Sequence, residues 1–393
     1  MKTHLLIASA LLLTAIPAMR AQENTDEPKL KITPNGRILM DGALFASPAK
    51  ENFKDGVQIP DARLGLKATY GKWAAKIDVG FAKGKVGLKD LYVQYNFDEE
   101  NSLRGGSFIH QYGLQSATSS SWKITYEEPM SNAVFNVSRQ IGVMYVHSAD
   151  KFLGTLSVHA EPQSIILTPN QLSQEGYGVT SRLVYRPMHT DGNIVHVGIS
   201  GGFATPNTDG DGGHSTFTFG GNFPTRVVSV KAVDATMRDA MNQWKFTPEL
   251  LLATGPVALE AQYFFNRVNF RKGLHSYTGQ GAYATLRGLL NGGHYGYNLF
   301  DGGIGSPGKG ACELVVGYNF TTLTDRKAQQ IADNGDIVTG IYGGSANTLS
   351  ATFNYYINKY MVARLNYTYT HTYNGAKLCT DFNAFQVRFQ VVF

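Results

Sequence analysis

Cysteine is nearly absent: Cys312 and Cys379 are the only two in 393 residues. That excludes a disulfide-dense scaffold. The strand pattern below puts them near opposite ends of the fold, so both are expected as free thiols. Long apolar runs are also missing. Beyond the N-terminal stretch nothing approaches the roughly 20 apolar residues a membrane-spanning helix needs, and mean hydropathy is slightly negative. Helical spans are therefore excluded. Catalytic signatures are missing too: no G-x-S-x-G, no H-E-x-x-H and no paired-Cys zinc spacing occurs. The stretch from Gly303 to Gly308 fits G-x-G-x-x-G, but Pro307 interrupts it, and Gly310 stands where a P-loop needs Ser or Thr. Asp209-Gly210-Asp211-Gly212 lacks the third acidic ligand and the closing Glu of a calcium loop. The most it suggests is a divalent ion shared with lipopolysaccharide. The ten histidines are scattered. No enzyme activity and no cofactor are expected.

What is present is an export signal. Lys2 and His4 precede the apolar run 5–16, and small residues lead to Ala21. This reads as a signal peptide over 1–21, leaving a single domain over 22–393. Removing Lys2 and Arg20 leaves a net charge of about +3. That is a mild bias towards anions, and no footprint for nucleic acid.

Gly (43), Phe (22) and Tyr (21) are abundant, and they sit in a period-two pattern. In the last ten residues Phe385, Val387, Phe389, Val391 and Phe393 share one face, while Gln386, Arg388 and Gln390 share the other. Alternation of this kind marks a strand with one apolar and one wet side. Fifteen more segments alternate upstream, among them 37–45, 63–70, 73–81, 89–97, 312–320 and 361–369. Sixteen is even, which lets an antiparallel sheet close with both termini on one side. Closure is needed because lipid cannot satisfy an open sheet edge.

The connections alternate in length. One set is short: 71–72, 98–101, 149–150, 187–193, 254–256 and 357–359. The other is long: 46–62, 111–139, 162–176, 204–245, 269–279, 321–345 and 372–380. Short turns inside and long loops outside form the pattern of an outer-membrane barrel. Two connections break parity: 82–87 is short, and 291–310 is long and Gly-rich. The expected fold is an all-β, 16-stranded antiparallel transmembrane β-barrel.

With apolar faces towards lipid, the wet faces line a lumen. They carry Arg37, Arg63, Lys67, Lys76, Lys89, Arg182, Arg186, Arg287, Arg364 and Arg388 against Asp41, Asp78, Asp90, Glu161, Glu260 and Glu313. Basic side chains partly replace the hydration that an anion loses on entering a pore, and Arg offers a planar fork to phosphate or carboxylate. The bland alternative is that such charges pair across the wall and set only a weak preference. The pore-lining, anion-binding set is taken as Arg37, Arg63, Lys67, Lys89, Arg226, Lys231, Arg238, Arg364 and Arg388. The strongest choices are Arg63, Lys67, Arg226, Lys231 and Arg238, nearest the outer half.

Several runs resemble the phosphate-selective porins of the O and P type. The stretch LRGGSFIHQYGLQSATSSSWKITY (103–126) is similar to that family's strand, turn and Thr-Ser-Ser run. Asn35-Gly36-Arg37 with Asp41, the run 62–66, Lys89-Asp90 with Tyr95, the run 192–197, and 388–393 also match. The resemblance covers nearly the whole mature chain. It implies a homotrimeric outer-membrane channel of sixteen strands with a loop folded into the pore, here the third outward loop, 111–139. Phosphate-selective members carry lysines beside the Thr-Ser-Ser run and an arginine ladder from a later outward loop. Here Ser116 and Ser121 flank Ser119-Ser120, Glu127 and Glu128 follow, and the later loop offers Arg226, Lys231, Arg238 and Lys245. The reading is an outer-membrane porin for small hydrophilic solutes with mild anion preference, extending to phosphate or polyphosphate. The alternatives are a phospholipase-type barrel and a plugged or narrow barrel acting as a surface receptor or adhesin. Both are disfavoured: the first lacks its Ser/His signature, and the second calls for an apolar lumen face.

Overall fold

The computed structural model describes residues 28–46, 52–118, 123–160, 175–208, 215–332, 335–373 and 381–393. The leader, Ser119 to Ser121, Glu161, Asp209 to Gly212 and Cys379 lie outside them. Among the described residues sixteen strands form one closed antiparallel barrel. In chain order they are β1 (Lys31–Phe45), β2 (Gly56–Tyr70), β3 (Trp73–Gly80), β4 (Gly87–Asn96), β5 (Asn101–Ile109), β6 (Arg139–Ser148), β7 (Phe152–Ala160) and β8 (Tyr177–Thr190). Then come β9 (Asn193–Ala204), β10 (Ala240–Thr254), β11 (Val257–Phe270), β12 (Tyr277–Leu289), β13 (Cys312–Ile331), β14 (Ile337–Tyr356), β15 (Met361–Tyr373) and β16 (Asp381–Val392). The seam joins β1 to β16, from Arg37 opposite Val392 to Phe45 opposite Ala384.

The alternation decides which face meets lipid. Leu64, Leu183, Leu365 and Phe385 are each more than half exposed, while Arg182, Glu313, Asn354 and Arg388 are buried inside. Leu183→Arg near mid-height of β8 is therefore expected to destabilise the barrel by about 2–4 kcal/mol, the cost of a cation at the bilayer midplane. Urea titration of the refolded protein in vesicles checks this. A loss under 1 kcal/mol (on the order of an interfacial site) would mean that this face does not meet hydrocarbon.

Three boundaries differ from the sequence reading. β13 and β14 each run 20 residues, so the expected outer loop over 321–345 is mostly a projecting hairpin. Its inward residues Leu323 and Ile341 stay buried against interior chain, which keeps the alternation going past the membrane. β8 continues to Thr190 through a register shift between Tyr185 and Met188. Pro187 sits in that shift, where its missing N–H costs no ladder bond. The wall is also uneven: β3 to β7 are 8–10 residues long, about half the length of β13 and β14.

The lumen is not simply polar, although the wet faces named from the sequence carry charged residues. The segment 215–237, between β9 and β10, folds inward. The strands Ser215–Asn222 and Lys231–Met237 pair within it. They pack on a short helix, Met130–Phe135, from the third outer loop. Phe219, Phe223, Val233, Met237, Val134 and Phe135 bury themselves there with Phe45, Phe264, Tyr283 and Phe382 from the wall. Gly281 makes the room: a Cβ there would lie 2.7 Å from Cβ of Ser131. A hydrophobic core thus occupies part of the outer half of the lumen. It escaped the strand reading because most of these residues lie in loops or at the outer ends of the wet faces.

Candidate functional site

Three spaces lie between this core, the loops and the wall. The outer one, about 590 Å3, lies between the third outer loop, the inturned 215–237 segment and the inner wall of β12 to β15. The inner one, about 1160 Å3, runs along β1 to β6 down to the short turns near Gly71 and Asp98. A third space of about 20 Å3, termed the neck, lies among residues that border the other two. It shares Thr125, Tyr126, Glu128 and Arg226 with the outer space and Arg37 with the inner one.

Five cations line the neck: Arg37, Lys123, Arg226, Arg364 and Arg388. They come from five separate stretches, brought together by the inward alternation of β1, β15 and β16 and by two loops folded into the lumen. Arg388 grips Asp41 with two bonds of 2.7 Å and donates to Glu127 Oε1 at 2.6 Å. It also donates to the carbonyl of Tyr126, whose ring centroid lies 4.1 Å from the guanidinium. Arg226 meets the other Glu127 oxygen at 2.8 Å. Arg37 and Arg63 share Asp61, and Lys123 pairs with Glu128. Arg364 donates to the carbonyls of Lys123 and Thr125, and Asn354 donates to Ile124 O at 2.9 Å. The segment 123–128 is thus tied to the inner wall of β14 to β16.

Charge counting around the neck gives six cations, including Arg63, against Asp41, Asp61, Glu127 and Glu128. The surplus is two positive charges in a confined space, where water screens little. Arg364 makes no carboxylate contact within ion-pair distance among the described residues, so its charge is the least neutralised.

Burial works against the charge on Glu127. The guanidinium groups of Arg226 and Arg388 outweigh it and hold this loop carboxyl below its ordinary pKa. Because its folded-state pKa is depressed, the stabilisation it gives is present above the usual value of about 4.3. It is lost as pH falls through the lower folded value. Zero-current potentials are therefore expected to stay flat from about pH 7 to pH 5, spanning values above an ordinary Glu. They should become more anion-selective only under stronger acid. A change centred near pH 6 (about two units above an ordinary Glu) would contradict this pairing of Glu127 with Arg226 and Arg388.

The other sequence-expected cations are placed differently. Arg63 and Lys67 line the inner space with Lys76, Arg104 and Arg139. Lys231 borders the outer space and lies 3.5 Å from Asp234. Lys89 lays its aliphatic stem over Gly80 on the neighbouring strand. Arg238 borders none of the three spaces. Sequence reasoning missed Lys123, Arg104 and Arg139. Arg104 and Lys123 lie inside the resemblance run 103–126, but the loop that carries Lys123 has no strand alternation to assign a face.

The long inner connection, 290–311, is the second structural surprise. It folds up into the barrel, burying Tyr295 and Ile304 with Leu114 of the third loop. Arg182, fully buried, donates to the carbonyls of Asp301 at 2.8 Å and Gly302 at 3.1 Å. Its other contacts are Glu249 at 2.7 Å and Gln111 at 3.1 Å. Arg186 donates to Leu299 O at 2.5 Å, and Tyr295 donates to Glu313 at 2.9 Å. Phe300 and Asp301 then border the inner space, and the Arg104 guanidinium lies 5.6 Å from the Phe300 ring. The inner connection therefore meets the third outer loop inside the barrel. Cys312, at the inner end of β13, is a free thiol.

A closed 16-stranded barrel with an apolar outer face, a lumen loop and a charged neck defines an outer-membrane β-barrel porin. The chain belongs to the phosphate-selective porin O and P family, whose model matches residues 34–393. No curated protein matches the chain. Among solved structures it is similar to an anion-selective porin from Comamonas acidovorans, with 11% identity, TM-score 0.58, and 93% of this chain and 100% of that chain covered. It is also similar to OmpF of Salmonella typhi, with 14% identity, TM-score 0.53, and 95% and 100% covered. The trimer form of OmpT from Vibrio cholerae matches at 12% identity and TM-score 0.53, over 93% and 99%. At these identities the likeness speaks to the fold alone. The protein is an outer-membrane porin of a bacterial cell.

Proposed function

We propose that the pore passes small hydrophilic solutes with a mild preference for anions, phosphate among them, and that the neck sets this preference. The observation that carries the reading is the surplus of cations around the neck, with Arg364 free of any carboxylate partner among the described residues. Arg37, Arg226 and Arg388 act there with it, Arg63 and Lys67 continue the positive lining inward, and Lys231 stands at the outer approach. Lys89 and Arg238 contribute only to the longer-range field. Most of these cations are paired, which favours weak selectivity over a tight phosphate site.

Single-channel recording in chloride, with phosphate added, tests this. Anion-selective current that phosphate reduces, with both effects weakened in Arg364→Gln, supports the reading. Ideal cation selectivity in the parent protein overturns it. The filled outer half keeps a second reading in view, a narrow barrel acting as a surface receptor, and absence of stepwise conductance would favour that one.

The low wall of β3 to β7 suits an assembly in which three copies meet along it and shield it from lipid. Strands of 8–10 residues barely match the 9–11 that a tilted transmembrane strand needs. Lipopolysaccharide would then contact the taller wall of β13 and β14. Residues 1–21 act as the export signal in this reading.

A further inference from the structure

The outer space has a property that anion passage does not use. Its wall carries Thr285, Asn319, Thr348, Ser350, Asn366 and Thr368, from four adjacent strands, and no charged side chain. Facing them are Met130, Ala133 and Phe223. The charged residues that line it, Glu127, Glu128, Arg226 and Lys231, come from the inturned loops and not from the barrel wall. Part of the wall is internally satisfied: Asn366 donates to Thr368 at 2.7 Å, and Asn319 accepts from Ser131. The hydroxyls of Thr285 and Ser350 have no such side-chain bond among the described residues. They flank Gly317, where a Cβ would lie 3.1 Å from Ser350 Oγ and 3.5 Å from Thr285 Oγ1. The missing side chain leaves a recess between two hydroxyls.

We propose that this space binds a neutral polyhydroxylated solute of mono- or disaccharide size just outside the neck. Its volume falls in the range of small-molecule sites, about 300–1,000 Å3. Hydroxyls and carboxamides on one side exchange bonds to water for bonds to sugar hydroxyls. The C–H face of the ring meets Met130 and Ala133. The inference rests on the proposed pore function, because the outer space shares Thr125, Tyr126, Glu128 and Arg226 with the neck.

Maltose is the probe. Calorimetric titration of the full-length protein in detergent is expected to give saturable, millimolar binding. Maltose added to the outer face of a bilayer is expected to interrupt chloride current reversibly. Thr285→Val with Ser350→Ala should weaken both by about tenfold, the loss of one or two net hydrogen bonds. The zero-current potential should stay unchanged, since neither residue borders the neck. Gly317→Ala, which narrows the recess, should give the same result by another route. Absence of binding heat would overturn the proposal. So would equal interruption by a polyethylene glycol of maltose size, or undiminished binding in both variants. Failure of the anion reading looks different: the potential in a chloride gradient collapses while maltose binding persists.

Discussion

Arg388→Ala is expected to lower unfolding free energy by about 3–5 kcal/mol, the cost of breaking a buried ion pair by removing one partner. The side chain is 5% exposed, and that of its partner Asp41 is 0% exposed. Truncation leaves the Asp41 carboxylate buried without its cation and leaves Glu127 with Arg226 alone. It also frees the Tyr126 carbonyl and removes the ring contact. The third loop then loses its main tie to β16, so conductance should rise and become noisier. The neck surplus falls from two charges to one, so anion preference should weaken at the same time. Removing both charges together, as Asp41→Leu with Arg388→Met, should recover much of the stability, because no unpaired charge remains. It should not recover the quiet conductance, because the tie is still gone. Urea titration and single-channel recording read the two effects separately. A stable, quiet Arg388→Ala channel would show that this side chain does not hold the loop.

Deleting residues 293–309 is expected to give the largest conductance change, a several-fold rise. The deletion joins Asn291-Gly292 to Gly310 across two strands already bonded at Leu290 and Cys312. Asn-Gly is well suited to a tight hairpin turn, so the barrel should still close. The deletion removes Phe300 and Asp301 from the inner space, and Tyr295 and Ile304 from beneath the third loop. Arg182 and Arg186 lose the carbonyls of Asp301, Gly302 and Leu299. Water takes the place of those carbonyls, so the cost is far below that of an unpaired buried charge. Both cations now face the aqueous path, and anion preference should increase. Unchanged conductance would mean that the inner connection does not obstruct the route.

Much of the fold was legible because the two faces of a transmembrane strand meet opposite solvents. Lipid selects Leu365, Tyr367 and Phe385, and the lumen selects Arg364, Asn366 and Gln386, so period two marks the wall. The neck was half legible for the same reason: Arg37, Arg364 and Arg388 are inward positions of alternating strands. Arg226 was named from its loop, but Lys123 was missed and the pairing of Glu127 with Arg226 and Arg388 was not legible, since the placement of these loops depends on packing against the finished barrel. Phe219, Val233 and Phe135 show the limit most clearly. Their burial is a tertiary event in the lumen, and no local period announces it. The length of 291–310 signalled an exception to short inner turns, but only the two buried arginines beneath it explain where it goes.

The most direct test of the neck is the zero-current potential of the unmodified protein across a potassium chloride gradient at neutral pH. A surplus of two cations predicts a modest potential of the sign set by chloride permeation, diminished in Arg364→Gln. A potential of the opposite sign, or one that Arg364→Gln leaves unchanged, would contradict the claim that these side chains set what passes.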